Sequence, residues 1–231
     1  IALIMKNQKV EAYRYIPNVG WTDQSVFLKL DNKVIDAGKR AELDVESWKE
    51  EEDSGDLSNI APEDARKLLR QMGARAPTPA DYTRAMDHLR RKDPAQYRQI
   101  LNQPSPLYVI LDGLWKPIDE SRASFVNHRK EFLLPIPKEY NGNGSFGYFG
   151  LEDLDDETGL PKRLRERLSQ NDFSIRFGKQ KGVNHYFWGT RNPSKPNAEI
   201  YIDSYDGVDN MHTGGLDIRV MPIYYNKPRA N

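Results

Sequence analysis

The chain has 231 residues, 38% of them hydrophobic and 10% aromatic, which is enough apolar surface for a buried core and excludes a disordered polymer. Lysine plus arginine and aspartate plus glutamate number 34 each, so the total charge offers no general attraction to nucleic acid or to an anionic membrane. The absence of cysteine excludes disulfides, zinc–thiolate sites and thiol nucleophiles, and no apolar run approaches the roughly 18–20 residues that span a bilayer.

The chain opens on Ile1 rather than Met, which leaves open a processed signal or a longer parent protein. Apolar blocks at 1–5, 10–16 and 26–30 predict strands, as does Val34-Ile35 after a turn at Asp31-Asn32-Lys33. The stretch 42–56, with its run Glu50-Glu51-Glu52-Asp53, reads as a solvated acidic linker or loop. It closes an N-terminal β-containing region, 1–57.

A small helical unit follows at 58–104. Pro62 stands near a helix start, Ala65, Leu68, Leu69 and Met72 share a face, and Gly73 is the stop. Thr78-Pro79-Ala80-Asp81 is a capping-type start, and Tyr82, Ala85, Met86 and Leu89 form the buried stripe of the second helix. Asp93-Pro94 ends that helix and starts a third, which carries Tyr97, Ile100 and Leu101 before Pro104 and Pro106. Arg66, Arg70, Arg75, Arg84 and Arg90 are interspersed with Glu63, Asp64, Asp81 and Asp87, a pattern of solvated helix faces rather than of a nucleic-acid reader.

The remainder, 105–231, reads as β-rich. The runs 107–111, followed by Asp112-Gly113, and 131–136 are buried strands. Asn141-Gly142-Asn143-Gly144, with Gly147 and Gly150 beyond, is a glycine-rich surface loop lacking the strand–loop–helix context that phosphate binding requires. Leu160, Leu164 and Leu168 mark one more helix. Alternation then predicts strands at Phe173/Ile175/Phe177, Tyr186/Trp188, Ile200/Ile202, Ile218/Val220 and Ile223/Tyr225. The expected fold class is α+β, a small helical unit plus a β-rich, mostly antiparallel C-terminal domain.

Of the four histidines, His88 lies beside a helical apolar stripe, His185 on a hairpin edge, and His128 in a polar stretch with no obvious acid partner nearby. His212 alone lies close in sequence to several carboxylates. A strand ending near Asp203 delivers Asp203 and Tyr205 to one face, Asp206 opens a turn, and the returning chain brings His212. Two carboxylates, a phenol and an imidazole together suit hydrolysis or phosphoryl chemistry. The same residues also fit an Asp/Gly/Asn hairpin turn with surface acids.

The pattern Asp-x-Tyr-Asp, with His six residues after the second Asp, resembles the active-site signature of the colicin M family of bacteriocins. The resemblance implies a mixed α/β domain with a curved sheet and an Mg²⁺-dependent phosphodiesterase, a hydrolase that cuts lipid II between the undecaprenyl chain and the pyrophosphate and so blocks peptidoglycan synthesis. It implies Asp203, Tyr205, Asp206 and His212 as the catalytic positions, with Asp203 as nucleophile or metal ligand, Asp206 as metal ligand, His212 as general acid/base and Tyr205 as orienting donor. The family's Arg after the His is Thr213 here, which leaves Arg219, the nearest later arginine, as a secondary candidate, and the aromatic after the second Asp is Gly207.

On this reading the chain is an antibacterial toxin, secreted or delivered to the periplasm of a target bacterium. Its partners are a lipid-linked peptidoglycan precursor and an immunity protein, with peripheral membrane contact, no membrane span and no nucleic acid. The alternative is a non-enzymatic interaction domain that binds a protein or glycan through Tyr186, Phe187, Trp188, Tyr201, Tyr224 and Tyr225.

Overall fold

A computed structural model of the chain describes residues 12–50, 54–58, 60–101, 108–117, 122–135, 144–149, 155, 184–191, 198–205 and 218–229. It opens with a hairpin of β1 (Tyr13–Ile16) and β2 (Gly20–Asp23), whose turn uses the left-handed backbone of Asn18. At Gly20, with φ of 132°, any Cβ would meet the Tyr224 carbonyl oxygen at 2.7 Å, so glycine is required there.

The block at 26–30 is not a regular strand, since its ladder pairing is confined to an isolated bridge between Lys29 and Asp56. Its core residues Val26, Phe27 and Leu28 are nonetheless buried, and Leu28 links distant segments by donating to Val220 O at 2.9 Å and accepting from Leu57 N at 2.7 Å. Val34-Ile35 is helical rather than extended. Asp31 caps Val34 N at 2.9 Å and starts α1 (Asn32–Arg40), whose buried Val34, Ala37 and Gly38 fall at helical spacing. The predicted acidic linker is partly ordered by a 3₁₀ turn (Val45–Ser47) and by β3 (Lys49–Glu50), which pairs with β4 (Leu57–Ser58). Trp48 and Asp56 are buried, so this segment covers core as well as meeting solvent.

The helical unit follows the expected grammar. Helix α2 (Pro62–Gln71) buries Ala65, Leu68 and Leu69 and gives way at Gly73, whose φ is 70°. After β5 (Ala74–Arg75), Thr78 and Asp81 form a reciprocal capping box that opens α3 (Pro79–Lys92), and α4 (Pro94–Leu101) restarts at the proline.

The next strands are β6 (Tyr108–Pro117), β7 (Arg122–Val126), β8 (Glu131–Pro135), β9 (Gly144–Phe149), β10 (Asn184–Arg191), β11 (Ala198–Tyr205), β12 (Ile218–Arg219) and β13 (Ile223–Tyr224). The large sheet runs β8-β7-β6-β10-β11-β9, antiparallel throughout, with β12 added parallel to β6. Two expectations change here. Asp112-Gly113 does not end a strand but lies within β6, and Gly144 and Gly147 belong to β9 rather than to a loop. The helix expected at 160–168 and the strand at 173–177 lie outside the described residues.

The chain is thus α+β, with the described α-helices falling within 32–40 and 62–101 and a mostly antiparallel sheet beyond them. A second, four-stranded sheet of order β1-β2-β13-β5 joins both ends of the described chain. One core runs through these parts, with Tyr13, Leu28, Trp48, Leu57, Leu68, Ile110, Val220 and Tyr224 all buried in the same cluster. Among the described residues no helix is long and apolar enough to cross a membrane.

Candidate functional site

Asp203 and Tyr205 lie two residues apart at the end of β11, where Asp203 pairs with Tyr186 and Tyr205 with Asn184 of β10. Asp206 and His212 lie outside the described residues. Among the described residues there is no group of three or more His, Asp or Glu able to hold a metal ion.

Arg219 sits elsewhere. It pairs with Val109 of β6, which pairs with Gly189 of β10, which pairs with Ile200 of β11. Arg219 and Asp203 are therefore three strand spacings apart, roughly 14 Å, and displaced along the strands as well. Its side chain is 1% exposed, with Nε 3.4 Å from Asp56 Oδ2. Arg219 and Asp56 thus form a buried charge pair, with Lys29 Nζ 2.6 Å from the other oxygen of Asp56.

A second constellation assembles around Asp112. The register between β6 and β10 slips between Tyr186 and Phe187, which face Leu114 and Leu111, so Asp112 and Gly113 form a bulge. The Asp112 backbone N–H donates to Pro77 O at 2.7 Å, and its side chain is only 5% exposed. Such a carboxylate has to be compensated. Its Oδ2 accepts from the His128 backbone N at 2.8 Å and stands 2.6 Å from His128 Nδ1, while Arg66 Nη2 of α2 is 3.5 Å from Oδ1.

His128 lies in the turn between β7 and β8, and that turn is itself fixed. Buried Asn127 accepts through Oδ1 from Arg129 N at 2.8 Å and Lys130 N at 3.2 Å, and its own N–H donates to Lys130 O. With Nδ1 committed to Asp112, the imidazole has Nε2 left over, and Nε2 makes no hydrogen bond among the described residues. The Tyr225 ring stands 6.4 Å from the imidazole, is 65% exposed, and carries the Arg75 guanidinium 5.6 Å from its centroid. Arg75 in turn pairs with Asp81 at 2.6 Å. This is an oriented acid–base pair, a carboxylate holding one ring nitrogen and leaving the other for chemistry.

Sequence reasoning left His128 without a partner because its acid is on a neighbouring strand. The signal that finds it is Asp112 inside an apolar run that resumes at Leu114-Trp115. A strand continuing through an aspartate buries a carboxylate, and a buried carboxylate calls for a cation or an imidazole.

Of the cations of the helical unit, Lys67 lies near Glu63 and Asp64, Arg90 near Asp87, and Arg66 and Arg75 are paired as above. Of the aromatic set, Tyr225 is exposed and Tyr224 buried at 3%. No protein-family model matches the chain, and no curated protein or solved structure is detectably similar to it.

Proposed function

We propose that the chain is an antibacterial phosphodiesterase that cleaves lipid II between the undecaprenyl chain and the pyrophosphate, acting at the membrane surface in the periplasm of a target bacterium. The observation that carries the reading is the spacing Asp203, Tyr205, Asp206, His212, together with the position of β11. Asp203 and Tyr205 lie in the last described residues of β11, two positions apart on one strand, and so share a face of the sheet.

Asp203 and Asp206 are hard oxygen donors of the kind Mg²⁺ takes, one or two carboxylates completed by water and substrate phosphate. They would hold the ion, which would offset charge on the phosphoryl oxygens. His212 takes the proton of the attacking water, and Tyr205 donates a hydrogen bond to a phosphoryl oxygen. An immunity protein in the producing cell is the partner this activity requires.

The test is incubation of lipid II with the chain and Mg²⁺, beside Asp203→Ala and an EDTA control. Release of a water-soluble pyrophosphoryl muropeptide by the intact chain alone is expected. No release in any sample would overturn the reading and favour recognition through aromatics such as Tyr225.

A further inference from the structure

A buried N–H without an acceptor has given up its hydration for nothing, so orphaned donors beneath a surface point to an acceptor from outside the chain. Two such donors stand in the constellation around Asp112. Among the described residues, Arg66 Nη1 and Arg75 Nε are buried and make no hydrogen bond. Both guanidinium groups are anchored through another nitrogen. Arg66 Nη2 lies 3.5 Å from Asp112 Oδ1, and Arg75 Nη1 donates to Asp81 Oδ2 at 2.6 Å and to Ala76 O at 3.0 Å.

We propose that Arg66, His128 and Arg75, with Tyr225 at the rim, form a binding site for a phosphate group. The site is separate from the residues assigned to lipid II cleavage and does not rest on that reading. Its members are linked without a break. Arg66 and His128 take the two oxygens of one carboxylate, Asp112, so guanidinium and imidazole are neighbours across it. The Tyr225 ring then stands 6.4 Å from the imidazole, with the Arg75 guanidinium 5.6 Å from its own centroid. The side chains of Arg66, His128 and Arg75 are 18%, 14% and 12% exposed, whereas Tyr225 is 65% exposed. A ligand arriving past Tyr225 therefore meets donors already stripped of most of their water, where charge-assisted hydrogen bonds are strongest.

The donor set selects the ligand. A guanidinium presents its N–H groups in a planar fork that matches the oxygens of a phosphate. The neighbouring acids are already engaged, Asp112 by the backbone N and Nδ1 of His128 and Asp81 by Thr78 N and Arg75, so they hold the cations in place while the orphaned donors stay open. With Nδ1 on Asp112, His128 Nε2 carries either a proton or a lone pair. A phosphate answers both, through a bare oxygen or through P–OH, whereas a carboxylate answers only the first. Arg129 and Lys130 in the turn of His128 add positive charge, against Glu131 beside them. The exposed Tyr225 ring, backed by Arg75, also offers a face to an aromatic group carried on the phosphate.

The test is titration of the full chain with inorganic phosphate, and separately with phenyl phosphate, at constant pH and ionic strength. The readout is the His128 imidazole NMR signal, identified by its loss in His128→Asn. A saturable shift at about millimolar phosphate is expected, with none from chloride. In Arg66→Met, with folding checked by circular dichroism, affinity is expected to fall about tenfold or more. Arg66→Lys keeps the charge without the fork and is expected to fall between the two. Tighter binding of phenyl phosphate that is lost in Tyr225→Ala would support a phosphate borne on a ring-containing molecule, and equal binding of the two probes would support free phosphate. No saturable shift in the intact chain, or equal affinity in the intact chain and Arg66→Met, would overturn the proposal and leave water as the acceptor for both donors. Neither lipid II nor Asp203 enters the titration, so its result is independent of the phosphodiesterase reading.

Discussion

Arg219 Nε stands 3.4 Å from Asp56 Oδ2, with the two side chains 1% and 4% exposed, and so ties β12 to the segment before β4. Removing one member of a buried pair leaves a charge in a poorly solvated place, at a cost of about 3–5 kcal/mol. Lys29 remains on Asp56 when Arg219 is lost, so Arg219→Met is expected near the lower end of that range and Asp56→Ala, which strips two cations of their carboxylate, nearer the upper end. Urea midpoints measure both. An Arg219→Met variant as stable as the parent would show that the pair contributes nothing.

Asp23 provides a pH test. Burial raises its carboxyl to about 6 against a reference of 3.8, with Asp31 adding to the rise and with Lys33 and the Tyr224 hydroxyl opposing it. Between 3.8 and about 6 the folded chain binds a proton that the unfolded chain has released, so stability falls as pH rises through this window. Asp23→Asn is therefore expected to stabilise the chain by roughly 2 kcal/mol at pH 7.5 and to change little at pH 4. Denaturation at the two pH values decides it, and equal effects at both would contradict the burial argument.

Gly38 sits inside α1, where glycine ordinarily costs about 1 kcal/mol relative to alanine. A Cβ there would press on the Trp48 ring and lie 2.7 Å from Val45 Cγ1. Gly38→Ala is expected to destabilise by about 1–3 kcal/mol despite the better helix propensity, because the added methyl overpacks a closed contact. A rise in thermal midpoint would show that Trp48 yields.

The Thr78–Asp81 box makes separable contributions. Thr78 Oγ1 accepts from Asp81 N at 3.1 Å, and Thr78→Ala is expected to cost about 1 kcal/mol. Asp81 also accepts from Thr78 N at 3.1 Å and from Arg75 Nη1 at 2.6 Å, so Asp81→Ala should cost clearly more. Equal midpoints for the two variants would mean that the Arg75 contact adds nothing.

The helical unit was the most legible part of the sequence, because Pro62, Gly73, Thr78, Asp81 and Pro94 act on the backbone next to them. Val34-Ile35 misled, since two β-branched residues fit either period and Asp31 serves equally as a turn residue or as a helix cap. Asp112-Gly113 misled because a bulge depends on the partner strand, which lies more than seventy positions later at Tyr186 and Phe187. For the same reason the motif at Asp203 was visible as local spacing, whereas the bond from Asp112 to His128 exists only once β6, β7 and β8 are side by side. Arg219 entered as a secondary site candidate only because it is the nearest arginine after the motif, and nothing near it in sequence reveals its partner Asp56.

The position of β13 between β2 and β5 bears on how the molecule comes into being. A ribosome delivers the β1–β2 hairpin and β5 long before Ile223 and Tyr224, so the early part of the nascent chain waits with an open place in its sheet, and Leu28 without its Val220 partner, until 220–224 emerges. The four-stranded sheet therefore closes only after β13 has been made, and a ribosome stalled before that strand would hold a chain that exposes apolar surface to chaperones and proteases.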